Sequence, residues 1–139
     1  MKATKMKPST FKHIEAEIAA YHDTEKEIQR KREEIMNPTM TEELVGGRSN
    51  EPSDPTGRLA TRLVTDKRLN ELERIQKTIL EVYESLETGP KKMVQLKYWA
   101  RPQTKTWEGI SQDLHVHRAT AFRWRDEIVK AIADKLGWS

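Results

Sequence analysis

Residues 106–137 read TWEGISQDLHVHRATAFRWRDEIVKAIADKLG, and their apolar side chains follow the spacing of two helices. The first predicted helix covers residues 106–114, and its apolar residues recur at intervals of three and four: Trp107, Ile110 and Leu114. The second is predicted from His117 to Leu136, with Gly137 at its end, because glycine often follows the last helical residue. Two helices with a tight turn between them are therefore expected.

The turn between these helices has the pattern of a helix-turn-helix. Val116 is placed to fill the turn, and Ala121 is small where the helices must cross closely. The predicted inward positions are Ile110, Leu114, Val116, Ala121 and Trp124. His115 stands where glycine is common, and histidine tolerates a positive φ better than most residues. His117 stands where serine or threonine usually caps a helix.

The outer face of the second helix predicts contact with double-stranded DNA. The first residues of such a helix meet base edges in the major groove, and arginine can bond bidentately to guanine. The predicted base-reading residues are Arg118, Ala119, Phe122 and Arg123. The residues predicted to contact phosphate, which positions the protein without reading sequence, are Lys105, Thr106, His117, Thr120 and Arg125. A trihelical module that binds protein is the alternative interpretation.

The distribution of charge favours the DNA interpretation. The whole chain has a formal net charge of +3, but residues 90–139 contain 10 basic and 5 acidic residues, a net charge of +5. Residues 37–57 contain 1 basic and 4 acidic residues, a net charge of −3. A polyanion is therefore attracted to the segment that carries the predicted helix-turn-helix.

A third short helix completes the predicted DNA-binding domain, residues 90–139. Pro90 suits the first turn of a helix, and Arg101-Pro102 ends it. Its predicted inward residues are Met93, Val94, Leu96 and Tyr98 or Trp99.

Two long helices are predicted ahead of this domain, over residues 10–36 and 58–87. Residues 37–38 and 88–90 end them, because they contain proline and glycine. The first has the three-four spacing of a coiled-coil seam. Such helices need partners for their apolar stripes, so we expect a hairpin, an interface with a second copy, or both. The predicted oligomer interface consists of Phe11, Ile14, Ile18, Tyr21, Ile28, Leu72, Ile79 and Val82.

The predicted organisation is all-α in three parts. Residues 1–9 form a flexible basic tail without apolar periodicity. Residues 10–89 form the long-helix oligomerisation region, which contains a mobile acidic linker over residues 38–57. The helix-turn-helix domain, residues 90–139, follows.

Composition excludes several classes of function. The chain has no cysteine, which excludes disulfides and thiolate metal sites. The histidine pair His115 and His117 is a poor metal site by itself. The sequence shows no nucleophile triad, phosphate-binding glycine loop or paired-carboxylate site, so we expect no enzyme activity, cofactor or metal. No apolar run approaches the ~20 residues of a membrane span, and we expect a cytoplasmic protein.

Several segments together resemble a known family. They are REEIMNP at residues 32–38, MVQLKYW at residues 93–99 and DLHVHRATAFRWRDEIVKAIADKLG at residues 113–137, with an acidic linker and a long second helix between the first two. The chain thereby resembles the RinA and ArpU group of phage late transcriptional regulators. The resemblance implies a helix-turn-helix like that of sigma-factor region 4, and activation of late phage operons for packaging and morphogenesis. It places the recognition positions on Arg118, Ala119, Phe122 and Arg123.

Three functions are open at this point. The first is a sequence-specific activator that binds promoter DNA as a homodimer or higher oligomer in a bacterial host, where it could recruit RNA polymerase. The second is a phage terminase small subunit, which also joins a helix-turn-helix to oligomerising helices but forms a ring of many subunits. The third is a small metal-dependent nuclease or recombinase, which needs an acidic cluster that the sequence does not show.

Overall fold

The computed structural model describes residues 6–37 and 66–139, and every regular element in these two ranges is helical. The α-helices are α1 (Pro8–Ala19), α2 (Tyr21–Met36), α3 (Lys67–Glu84), α4 (Thr88–Val94), α5 (Trp107–Leu114) and α6 (Arg118–Leu136). A π-helical segment, Gln95–Trp99, continues α4 directly. The predicted all-α class is confirmed. Within the described ranges, no helix has both the length and the apolar character needed to cross a membrane.

The chain divides into two compact units. Of the described residues, 6–22 and 75–139 belong to the large unit, and 23–37 and 66–74 belong to the small unit. Apolar residues of α1 and of the second part of α3 enter the same core as the helices of residues 90–139, the predicted DNA-binding domain.

One apolar cluster forms the core of the large unit. Its buried members are Ile14, Ile18, Ile75, Ile79, Val82, Met93, Val94, Tyr98, Ile110, Ala121, Ile128, Val129, Ile132, Ala133 and Leu136. They come from α1, α3, α4, the π-helical segment, α5 and α6. Removal of this apolar surface from water is the main stabilising term for the unit.

Several residues predicted at an interface between copies lie in this core. Ile14, Ile18, Ile79 and Val82 are at most 4% exposed in the single chain. Phe11 and Tyr21 are half-buried and pack against the same cluster. Packing within the chain, one of the two alternatives that the sequence left open, therefore accounts for the burial of these side chains without a second copy.

The small unit pairs α2 with α3. Ile28, Leu69 and Leu72 form its buried cluster, and Ile35 packs against them. Ion pairs join the two helices around this cluster: Glu27 with Arg68, Lys31 with Asp66, and Arg32 with Glu73. The predicted interface residues Ile28 and Leu72 thus also find apolar partners within the chain.

The helix predicted over residues 10–36 is interrupted at Ala20, between α1 and α2. The indole nitrogen of Trp99 donates a hydrogen bond to the carbonyl of Ile18 at 2.9 Å. Nη2 of Arg101 donates to the carbonyl of Ala19 at 3.0 Å. In an uninterrupted helix these carbonyls would instead accept hydrogen bonds from the backbone N–H groups four residues later. The interruption therefore depends on side chains distant in sequence, which helical periodicity does not reveal.

The start of α3 lies at Lys67, later than the predicted start at Arg58. The side chain of Asp66 accepts a hydrogen bond from the backbone N–H of Leu69 at 2.7 Å, as an N-cap residue does. The predicted linker at 38–57, the predicted helical residues 58–65 and residues 1–5 of the predicted tail lie outside the described residues.

The second long helix ends at Glu84, close to the predicted Glu87, but residues 88–90 form the first turn of α4 instead of preceding it. Gly89 lies in the first turn of α4 and faces the indole of Trp124. A Cβ atom at this glycine would lie 2.8 Å from Cη2 of the indole. Glycine is therefore needed here for a close approach between α4 and α6, rather than for a helix end.

This contact generates a prediction for Gly89→Ala. The added methyl group must displace a rigid indole ring, so we expect a loss of about 1–3 kcal/mol in the free energy of unfolding. Urea denaturation followed by circular dichroism measures this change. Gly109→Ala is the matched control, because its Cβ would lie 3.4 Å from Oγ1 of Thr106, an ordinary contact. A variant Gly89→Ala as stable as Gly109→Ala would contradict the proposed steric requirement.

Candidate nucleic-acid interface

The turn between α5 and α6 is closed by backbone hydrogen bonds. Thr106 caps α5, since its side-chain oxygen accepts a hydrogen bond from the N–H of Gly109 at 3.0 Å. His115 has the left-handed φ of 59°. The N–H of Val116 then donates to the carbonyl of Ser111 at 3.0 Å, which is a bond of the Schellman motif. The helix predicted over residues 106–114 and the positive φ considered for His115 are both confirmed.

The crossing of α5 and α6 depends on small and apolar side chains. Ile110 and Ala121 have no exposed surface, and Trp124 is half-buried against the same core. Leu114 and Val116 are also half-buried. Because the side chain at Ala121 is a single methyl group, the two helices can approach closely at this point. The inward positions that the sequence predicted are therefore turned toward the protein.

The predicted base-reading residues divide into two groups. Arg118, Ala119 and Arg123 are exposed, and the side chains of the two arginines are 62% and 64% exposed. Phe122 is half-buried and packs edge-to-face on Trp107, with ring centroids 5.3 Å apart. Part of its ring is therefore covered by a contact within the protein.

The predicted phosphate contacts also differ in their surroundings. Lys105, Thr106 and His117 are exposed, whereas Thr120 is half-buried. The ammonium group of Lys105 forms an ion pair with Asp113 at 2.8 Å. His117 is the N-cap of α6 but makes no side-chain cap bond.

Arg125, another predicted phosphate contact, has several partners within the protein. Its side chain is only 25% exposed and forms an ion pair with Asp126 at 2.8 Å. Its guanidinium group lies over the rings of Phe11, Trp107 and Phe122. The guanidinium group therefore makes its contacts within the protein and is less accessible to a phosphate than an exposed arginine would be.

Acidic residues accompany the exposed arginines at the start of α6. Nη1 of Arg118 lies 3.5 Å from Oε1 of Glu108, which belongs to α5. Nε of Arg123 lies 4.0 Å from Oε2 of Glu127. Exposed ion pairs contribute little to stability and exchange readily with water, so these pairs leave the arginines accessible to an anionic partner. The approach of Glu108 was not predicted because it depends on the crossing of two helices.

A further basic residue near the start of α5 was missed in the sequence. The ammonium group of Lys97 lies 5.1 Å from the ring centre of Trp107, the first residue of α5. It belongs to the π-helical segment, whose wider turn changes the direction of its side chains relative to an α-helix. Helical periodicity therefore could not place it beside Trp107, where it is a further candidate for phosphate contact.

A short hydrogen bond attaches α1 to the π-helical segment. The hydroxyl of Tyr98 donates to the carboxylate of Glu15 at 2.5 Å. Burial of Tyr98, followed by this bond to Glu15, raises the pKa of the phenol above its usual range. The hydroxyl therefore remains a donor throughout the physiological pH range. Among the described residues, no group of three histidine or carboxylate side chains is placed to hold a metal ion.

A family model described as "Protein of unknown function (DUF722)" matches residues 13–134. This match covers most of the chain, so the chain belongs to that family. No curated protein and no solved structure matches the chain.

The left-handed turn generates a prediction at His115. Glycine adopts a positive φ without the steric cost that a Cβ atom brings, so His115→Gly should be more stable than His115→Ala by about 1 kcal/mol. Thermal and urea denaturation measure the difference. Gln112, an exposed residue of the preceding helix, supplies the control. There the order should reverse, because alanine is the better residue inside a helix. The same order at both positions would contradict the role of the left-handed turn.

Proposed function

We propose that this member of the DUF722 family is a sequence-specific double-stranded DNA-binding protein that regulates transcription. The pair α5 and α6 carries the proposal, because its close crossing leaves Arg118, Ala119 and Arg123 exposed at the start of α6. From that position the second helix of a helix-turn-helix meets base edges in the major groove. The exposed guanidinium groups are suitable donors for guanine.

The basic character of the same region supports this proposal. Residues 90–139 carry the net charge of +5, and exposed or half-exposed cations lie near the start of α5 at Lys97 and Lys105. Phosphate groups that flank the groove would be attracted to these side chains. A protein-binding trihelical module would not need this excess of positive charge.

The resemblance to the RinA and ArpU group supports a more specific role. We propose that the chain activates late phage genes for packaging and morphogenesis by binding promoter DNA in the cytoplasm of a bacterial host, where RNA polymerase would be its protein partner. In a homodimer or higher oligomer, two or more copies of α6 could each contact one part of a longer DNA site. Its contact surface must exclude Ile14, Ile18, Ile79 and Val82, because these side chains are buried within one chain.

The mass of the DNA complex separates this proposal from a terminase small subunit. We expect two copies per site and a paired or palindromic sequence among duplexes selected from a random pool. A ring of eight or more copies would favour the terminase alternative instead.

A pair of variants on α6 tests the base-reading face. Arg123→Ala should lower affinity for the selected site by roughly 1–3 kcal/mol and relax discrimination at one base pair. Lys130→Ala is the matched control: Lys130 is 61% exposed, on the same helix, and also has an acidic partner four residues later, Asp134. It lies about two turns further along α6, so its loss should affect specific binding much less. Fluorescence anisotropy with the selected duplex measures both affinities.

Two results would contradict the proposed reading face. The first is an equal loss of affinity in Arg123→Ala and Lys130→Ala, which would indicate general charge attraction alone. The second is a wild-type protein that enriches no sequence from the random pool.

The phosphate contact predicted at Lys105 has a different signature. Lys105→Ala should weaken binding to specific and random duplexes about equally, and should reduce the slope of log K against log salt by about 0.9. Lys135→Ala removes an equally positive, exposed residue from the last turn of α6 and should leave the slope unchanged. Affinities measured from low to high salt give the slopes. An unchanged slope for Lys105→Ala would exclude its contact with phosphate.

A further inference from the structure

The guanidinium group of Arg125 lies among three aromatic rings from three different helices. Its central carbon is 4.8 Å from the ring centre of Phe122 in α6, 5.0 Å from that of Phe11 in α1 and 5.6 Å from that of Trp107 in α5. Phe122 and Trp107 also contact each other edge-to-face. A cation over aromatic faces is attracted by the negative charge of the ring centres. Arg125 therefore connects α1, α5 and α6.

The edge of the same guanidinium group is also occupied. Its Nε and Nη2 atoms donate to Oδ1 of Asp126 at 2.9 and 2.8 Å. Its side chain is 25% exposed, against 62% for Arg118 and 64% for Arg123. A phosphate would have to displace both the carboxylate and the ring contacts, so Arg125 is poorly placed for the contact that its position on the helix predicted.

The contact between Phe11 and Arg125 brings α1 against α6, the proposed recognition helix. α1 is separated from α5 in sequence by α2, α3, α4 and the π-helical segment, yet the ring of Phe11 packs against an arginine two residues beyond Arg123 in α6. Base reading requires side chains that are held within about 0.5 Å of their working geometry. A support on α1 could therefore control how accurately Arg123 reaches a base.

We propose that Arg125 is a positioning residue, and that α1 acts through Phe11 and Arg125 to hold the recognition helix in its base-reading position. This inference rests on the proposed DNA-binding function. The stack requires a planar guanidinium group, which lysine does not reproduce although it keeps the charge. The side chain acts through Arg118 and Arg123 rather than through a DNA contact of its own.

Two substitutions on opposite sides of the stack test the inference. Phe11→Leu removes the ring without changing charge, and Arg125→Lys keeps the charge without the planar group. Each should lower affinity for the selected site roughly tenfold while binding to random duplexes stays within about twofold. The salt dependence of binding should stay at the wild-type slope, since no phosphate contact is lost. The double variant should lose little more than either single variant, because both disrupt one contact.

Tyr83→Leu is the control for loss of a half-buried aromatic ring. Tyr83 lies in α3 and packs against Trp99, with ring centres 4.6 Å apart, so it belongs to the same unit but not to the stack. We expect its ratio of specific to random binding to equal that of the wild type. Circular dichroism at the measurement temperature verifies folding. Phe11→Met, which also keeps an apolar side chain, replaces Phe11→Leu if the leucine variant is unfolded.

The opposite pattern would overturn the inference. If Arg125 contacts phosphate, Arg125→Lys should retain most of the affinity. Arg125→Gln should then weaken specific and random binding equally, with a slope reduced by about 0.9, and Phe11→Leu should have no effect. A wild-type protein that selects no sequence would instead overturn the proposed function. A selective wild type with an equally selective Phe11→Leu variant would overturn only the role of α1.

Discussion

The close crossing of α5 and α6 at Ala121 is the contact on which the exposed face of α6 depends. Ala121 and Ile110 have no exposed surface, which fixes the side of α6 that faces the protein. The left-handed residue His115 turns the chain between the two helices. Once these two constraints are met, Arg118 and Arg123 must lie on the outer side. A larger residue at the crossing would tilt α6 and move both guanidinium groups.

Three short helices are too small to bury an adequate core, which explains the use of α1 and α3. A domain of about 60 residues buries only about 60% of the surface of its unfolded chain and is marginally stable alone. Ile14 and Ile18 from α1 and Ile79 and Val82 from α3 supply further apolar surface to the same cluster. The long helices therefore complete the core into which α5 and α6 pack, and their apolar stripes are largely used within the chain.

Local features were predictable from the sequence, whereas contacts between distant residues were not. The cap at Thr106, the left-handed His115 and the small Ala121 depend on neighbours within one or two turns. Gly89 was expected to follow a helix end, because glycine before proline is typical of that position. The need for glycine there is explained only by the close approach of Trp124. The contact between Arg125 and Phe11 was not predictable, because Phe11 lies more than a hundred residues earlier and the spacing of residues along one helix carries no information about it.

The ion pairs show where the excess positive charge of residues 90–139 lies. All five acidic residues of this segment, Glu108, Asp113, Asp126, Glu127 and Asp134, pair with basic residues of the same segment. The other basic residues of the segment include Lys91 and Lys92 in α4, Lys97 in the π-helical segment and Lys135 in α6. In the proposed function, general attraction to phosphate thus comes mainly from residues before α5, whereas base reading comes from α6. Affinity and specificity would then depend on different residues of one small unit.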